Sequence, residues 1–452
     1  MTPATRMFLL FAGVVAFAAR GVGAQEPALA TRLMLREAVE QAVAHYPGVR
    51  AALLGAEAAA SAASAAAGAR LPGFGVSVSA SRYQEPMLVT PIHGFTPALS
   101  PAFDRDLFQG AAAIRYTVFD GLGRGARIDA ARAESDASAH EVGRASQALM
   151  ARVSATYLGI LGSARVLEAQ DRRIAALEAE RARVRQLLEV GRAAVADLLR
   201  VEAVLAGAQA ERVSLAAALD VGEQQLSRLT RLPVDRTRAA QLVPVTLRDT
   251  TLASRDALLA AALAANPAVL GEQRRHSAAR ARTTVARSER WPRLDVAASY
   301  MGWASAQDDP IAEWNVGVTV SWPLFTGGAR SRQIHRSEAE LAAAGERLRL
   351  AESDVAEELD AALSAAFEAR ARIASLVTAV ARSEEVARIE QLRLDAGAGV
   401  QRDWLEAEAV LFANRAALVQ ARYGEILARV ALARVTGRLD VDWLARNLGG
   451  TP

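Results

Sequence analysis

The 452-residue chain contains no cysteine and no lysine. The first absence excludes disulfides, thiolate metal sites and a lipid attached through a cysteine behind an export signal. The second excludes a phosphate-loop lysine, Schiff-base chemistry and serine–lysine pairs, because all 53 basic residues are arginine. Past the first two dozen residues no stretch approaches the ~20 apolar residues that a membrane helix requires. Histidine is scarce too: His45, His93, His140, His276 and His335 are scattered without metal-ligand spacing, and none stands beside a plausible serine and acid. Glu357 with Glu358, and Glu384 with Glu385, read as solvated helix faces. No metal, cofactor or catalytic constellation is expected.

What is present begins with an export signal over residues 1–24. Arg6 supplies its basic start, Met7 to Ala19 its apolar run, and Val22-Gly23-Ala24 a small-residue cleavage site. Without Arg6 and Arg20, 51 arginines face 50 acids. The near balance calls for no nucleic-acid partner.

The mature chain is a duplication. His45-Tyr46-Pro47 answers to Ala265-Asn266-Pro267, and Arg70-Leu71-Pro72 to Arg290-Trp291-Pro292, each pair 220 residues apart. Farther on the separation is 206: Val118-Phe119-Asp120-Gly121 answers to Leu324-Phe325-Thr326-Gly327, Gly191 to Gly397, and Asp197 to Asp403. The first repeat is read over residues 25–240 and the second over 241–452. Copy one therefore holds 14 extra residues between Pro72 and Phe119, expected in an external loop between Tyr83 and Phe108 whose Pro86, Pro91, Pro97 and Pro101 break any strand.

Two periodicities alternate along each copy. Segments at about 74–84, 110–119, 294–303 and 313–322 alternate apolar and polar residues with period two, as in Trp314, Val316, Val318, Val320 and Trp322. A soluble sandwich would give the same pattern, but each segment has about the ten residues of a tilted membrane strand. Trp314 and Trp322 stand ~26 Å apart along such a strand, which suits two aromatic girdles. No further strands are evident for a second sheet, and four strands cannot close a barrel, so several chains must share one. The remainder reads as helical hairpins at about 127–229 and 330–435, with apolar residues near every seventh position (Val153, Ile160, Leu167, Ile174; Leu341, Leu348, Val355).

The duplicated order of these pieces resembles the TolC-like outer membrane efflux protein family over the whole mature chain. The carriers are the junctions Tyr116-Thr117-Val118-Phe119-Asp120-Gly121 and Trp322-Pro323-Leu324-Phe325-Thr326-Gly327-Gly328. With them go the tip motifs Val190-Gly191 before Asp197-Leu198-Leu199, and Ala396-Gly397 before Asp403-Trp404-Leu405. The resemblance implies a mainly α protein with a membrane β-barrel: a homotrimer, four strands per chain in a twelve-stranded outer membrane barrel, continued by a periplasmic α-helical barrel. It implies a passive exit duct for efflux or type I secretion, served by an inner membrane pump of RND or ABC type and a periplasmic adaptor. On that basis Asp403 and Glu406 line the periplasmic constriction. Gly191, Asp197, Leu198, Gly397, Asp403 and Trp404 meet the adaptor. Gly121, Pro323, Gly327 and Gly328 form the barrel-to-helix junctions.

Plainer readings stand beside these. Asp197 and Asp403 would also serve as helix caps, and the tip glycines as C-caps. Where some relatives carry an arginine two residues after the tip glycine, this chain has Gly399. Gly121-Leu122-Gly123-Arg124-Gly125-Ala126 mimics a dinucleotide fingerprint, but the strand before it alternates and copy two replaces the run with Thr326-Gly327-Gly328-Ala329. The competing class is a periplasmic coiled-coil adaptor or scaffold without a pore.

Overall fold

The structure is a computed structural model describing residues 32–89, 103–248, 251–306 and 310–450. The export signal and Pro91, Pro97 and Pro101 lie outside these residues. Copy one comprises α1 (Leu35–His45), α2 (Pro47–Gly68), β1 (Gly73–Leu88), β2 (Phe103–Phe119), α3 (Gly123–Glu189) and α4 (Val195–Thr230). A connecting segment holds α5 (Val234–Thr237) and the short β3 (Val245–Leu247). Copy two follows as α6 (Arg255–Ala265), α7 (Pro267–Ser288), β4 (Arg293–Ala304), β5 (Ile311–Ser321), α8 (Ala329–Asp395) and α9 (Gln401–Val435), and the described chain ends in α10 (Val441–Asn447) and β6 (Leu448–Gly450).

Local chemistry sets the boundaries. Pro47 and Pro267 open α2 and α7 at the first helical position, where a missing N–H costs nothing, and hold Tyr46 and Asn266 extended so that α1 and α6 must stop. Asn266 also accepts from the Ala268 N–H at 2.8 Å and donates to the Val435 carbonyl at 2.8 Å. Helices α3 and α8 each run 67 residues, ~100 Å at 1.5 Å per residue. No compact core could hold them, so they lie side by side with α2, α7 and the return helices α4 and α9. Among the described residues no helix is long and apolar enough to cross a membrane.

The four longer strands form one antiparallel sheet in the order β1-β2-β4-β5, so the hairpins of the two copies join through β2 and β4 and leave β1 and β5 as open edges. Two sequence expectations need correction here. β1 and β2 are 16 and 17 residues long against 12 and 11 for β4 and β5, so much of the excess in copy one lengthens strands beyond residue 84 and before residue 110. Pro86 lies inside β1, where the register shifts between Arg82 and Met87; an edge strand with a bulge can spare that N–H. The second correction is a further sheet: β3 pairs with β6.

That small sheet belongs to a collar halfway along α3. Its core gathers Leu33, Val39, Tyr157, Leu158, Leu226, Leu439 and Leu444 from both ends of the described chain. Tyr157 is fully buried, its hydroxyl 2.7 and 2.8 Å from the carbonyls of Leu33 and Val243 while accepting from the Val243 N–H at 2.8 Å. Burial pushes its phenol up from the ordinary value. One buried hydroxyl thus ties the long helix to the strand that closes the collar.

Candidate functional site

Three places bear on function: the faces of the sheet, its junctions with the helices, and the hairpin tips. Pairing aligns the alternation of all four strands. Val316, Ala298, Ile114 and Phe74 form one transverse row, and Trp314, Tyr300, Ala112 and Val76 another. This apolar face is exposed in the single chain, Trp314 to 71%. The opposite face pairs Asn315 with Ser299 and Thr319 with Asp295, beside Thr117. There the Thr117 hydroxyl donates to Asp295 at 2.6 Å, and Arg293 gives Nε to Asp295 at 2.8 Å and Nη2 to the Thr117 oxygen at 3.0 Å. One face suits hydrocarbon and the other water.

At the junctions the chain must swing from strand to helix within a few residues, and positive φ angles accomplish it. Gly121 and Leu122 lie at 64° and 72°, Gly327 and Gly328 at 61° and 82°. Gly121 is also required by space, since a Cβ there would stand 2.7 Å from the Ser288 carbonyl and 2.8 Å from Trp291. The glycine-rich run is therefore consumed by the turn. Arg124 donates Nη1 to the Thr117 carbonyl at 2.6 Å, and Arg330, 206 residues on, bonds the carbonyl of Pro323, itself 206 residues from Thr117. Sequence reasoning missed this pair, although the matched spacing signalled it. Trp322 sits just past β5 and donates to the Arg290 carbonyl at 3.2 Å.

The tips repeat one turn. Gly191 (φ 77°) and Gly397 (φ 71°) each follow a helix; Gly191 bonds the Leu188 carbonyl and Arg192 that of Leu187, while Gly397 bonds Leu394 and Ala398 bonds Arg393. This doubly bonded C-cap satisfies the orphan carbonyls of α3 and α8. Neither aspartate caps. The N-cap positions are Ala194 and Val400 without a side-chain bond, and Asp197 and Asp403 stand three residues later, in the first turn, where a carboxylate suits the helix dipole. Asp197 pairs with Arg200 at 3.2 Å and Asp403 with Arg402 at 3.4 Å.

The structure brings Asp403 and Glu406 together on one groove of about 540 Å³ between α8 and α9, with Glu390 on its other wall. Trp404 goes elsewhere. Expected at a partner surface, it is 3% exposed and packed among Leu177, Val184, Val201 and Leu205 of the first hairpin, with Leu198 at the margin of the cluster. A large indole beside four aliphatic side chains is better hidden than offered to water. Higher up, Arg173 of α3 lies over the Phe412 ring of α9 at 5.3 Å. Burial pushes the nearby Glu408 carboxyl up, against the pull of Arg415 and Arg173, and lowers Arg173 itself.

The comparisons with known proteins agree with this geometry. Outer membrane efflux protein BepC of Brucella suis is 24% identical over 391 residues, which is 84% of this chain and 82% of BepC. Outer membrane protein TolC of Vibrio cholerae is 23% identical over 338 residues, 71% of this chain and 75% of the relative. Among solved structures, outer membrane protein VceC of Vibrio cholerae aligns with a TM-score of 0.79 at 20% identity, covering 89% of this chain and 96% of VceC. The family described as outer membrane efflux protein matches residues 38–230 and again 258–438, one span on each copy. The chain is thus an outer membrane protein with its long helices in the periplasm, and it belongs to the outer membrane efflux protein family, the channels of tripartite efflux systems.

Proposed function

We propose that three copies assemble into a passive exit duct, each giving four strands to a twelve-stranded barrel. An inner membrane pump, of RND or ABC type, drives it through a periplasmic adaptor seated on the hairpin tips around Gly191, Asp197, Leu198 and Gly397. Small molecules or, in type I secretion, proteins would pass. Asp403 and Glu406 would ring the periplasmic constriction, while Trp314 and Trp322 would mark the two edges of the bilayer. The observation that carries this reading is the four-stranded sheet with an apolar exposed face and two unpaired edges. Hydrocarbon tolerates no open edge, so β5 must pair with β1 of another copy.

The duplication specifies the register of that pairing. Within the chain Ile114 faces Ala298. Val320 is the counterpart of Ile114 and Val78 that of Ala298, so Val320 should face Val78 of the next copy. Because the chain has no cysteine, Val78→Cys with Val320→Cys is a clean test. A short bifunctional thiol reagent should yield covalent trimers in outer membrane extracts, since opposed Cβ atoms lie ~5 Å apart. The offset control is Phe74→Cys with Val320→Cys, on the same face but four residues, two periods of the alternation, nearer the start of β1, and it is expected not to link. A soluble periplasmic species that never cross-links would favour the alternative, an adaptor or scaffold without a pore.

A further inference from the structure

At the head of α3, on the apolar side of the sheet, lies a cavity of about 630 Å³ lined by Arg70, Tyr116, Val118, Leu122, Arg124 and Asp129. Tyr116 continues the apolar row of β2 opposite Val296, and Val118, at the register shift that ends the strand, lines the same cavity, so one wall is the periplasmic end of the lipid-facing surface. Another wall is charged. The Arg124 guanidinium lies 5.1 Å from the centre of the Tyr116 ring, held there by its bond to the Thr117 carbonyl, and keeps further N–H groups for a ligand. Asp120 is taken up by Arg127 at 2.5 Å. Arg70 and Asp129 are exposed and have no side-chain partner among the described residues. Leu122 adds an oddity, for it holds φ 72° with its side chain 74% exposed, where copy two has Gly328. A strained leucine presented to water gains nothing within the chain.

We propose that this cavity binds a phosphoethanolamine phospholipid of the periplasmic leaflet. Its phosphate sits between Arg70 and Arg124, its ammonium turns to Asp129, and its acyl chains run along Leu122 and Val118 onto the apolar rows. Arginine forks match phosphate oxygens, and a bilayer edge is where a headgroup meets apolar wall. The inference rests on the duct reading, which puts this end of the sheet at the inner surface of the outer membrane. Assembly leaves the cavity open, because β2 lies between β1 and β4 of its own chain and α3 packs against α2 and α7. Copy two has no twin: Arg290, Arg330 and Trp322 recur, but Asp129 becomes His335 and Leu122 becomes Gly328, so the acid for the ammonium and the exposed leucine are both missing there. Each trimer would hold three lipids.

Native mass spectrometry of the detergent-purified trimer, with added phosphatidylethanolamine or phosphatidylglycerol, tests the site. Wild type should retain up to three molecules of phosphatidylethanolamine and fewer of phosphatidylglycerol. Arg70→Ala, in an exposed loop that leaves the Arg124 junction intact, should weaken retention roughly tenfold, the worth of one charge-assisted bond. Asp129→Asn should erase the preference between headgroups, and Arg290→Ala should change neither. Undiminished retention in Arg70→Ala overturns the site, as does release of the lipid by inorganic phosphate, which would mark a free-anion site. The trimer band in the outer membrane fraction is read separately: its presence without lipid selectivity refutes this inference alone, its absence refutes the duct and the lipid site together.

Discussion

The two junctions are built alike but covered unequally, and this difference predicts that Phe325→Ser will weaken assembly while sparing the fold of the single chain. Phe119 is 41% exposed and its counterpart Phe325 is 89% exposed. Around Gly121 a Cβ would strike Ser288 and Trp291, whereas around Gly327 nothing lies within 4 Å. In a ring of three, the surface that copy two offers to copy one must be offered in turn by copy one of the next protomer, with Gly68 and Leu71 in place of Ser288 and Trp291. Sizes are exchanged to suit: a Cβ on Gly123 would collide with the Ser288 hydroxyl, while Ala329 would meet Gly68. If assembly lowers Phe325 to the exposure of Phe119, about half of a ~200 Å² side chain leaves water. That is worth ~2.5 kcal/mol at each of three interfaces. Phe325→Ser should therefore lower the temperature at which trimers dissociate on semi-native gels, with unchanged helix content by circular dichroism. A variant trimer with the wild-type dissociation profile would refute the quasi-equivalent packing.

Three further outcomes are expected. Val318→Arg should cost ~2–4 kcal/mol of barrel stability near mid-bilayer and cut trimer yield, while Thr319→Arg on the opposite face is tolerated; equal yields would dismiss the assignment of faces. Asp403→Asn with Glu406→Gln should preserve trimers yet weaken block of single-channel current by trivalent cations added from the periplasmic side, and unchanged block would remove these acids from the lumen. Burial raises the Glu408 carboxyl in the fold, so its contribution to stability is full in acid and lost as pH rises through the raised folded value. Glu408→Gln should accordingly match wild type in thermal melts in mild acid and exceed it near neutrality; a variant less stable than wild type at neutral pH would mean that Arg173 and Arg415 outweigh the burial.

The sequence disclosed most where one physical constraint repeats over many residues. Helices of 67 residues announce themselves through alanine content, absent proline and apolar sevenfold spacing, and their observed ends fall within a few residues of the read ones. The alternation of the sheet was equally legible, because a period of two repeats along each strand and pairing aligns it into continuous rows. Single contacts between distant segments were not. β3 and β6 have three residues each, too few for any period, and find each other only because the segment between the copies and the C-terminal end of the described chain both reach the collar. Pro86 looked like a strand breaker until its place on an edge strand was known. Arg124 and Arg330 open helices, where a cation is unfavourable for the dipole, and only the folded junction explains them.

Trp404 carries the most consequence among the unforeseen positions. Its neighbours in sequence, Asp403 and Leu405, gave no sign that the indole would be hidden, since its cover comes from Leu177 to Leu205, some two hundred residues earlier. Nor could the tip accommodate the arginine that some relatives carry, for a Cβ at Gly399 would stand 2.7 Å from the Leu394 nitrogen. A turn that excludes any side chain at that point cannot be fastened there. What binds the second hairpin to the first is instead buried packing around Trp404 and the stacking of Arg173 on Phe412. Motion between the hairpins would have to separate this packed cluster as a whole, and a two-state shift is the form of motion that packing of this kind favours over the release of one tip bond.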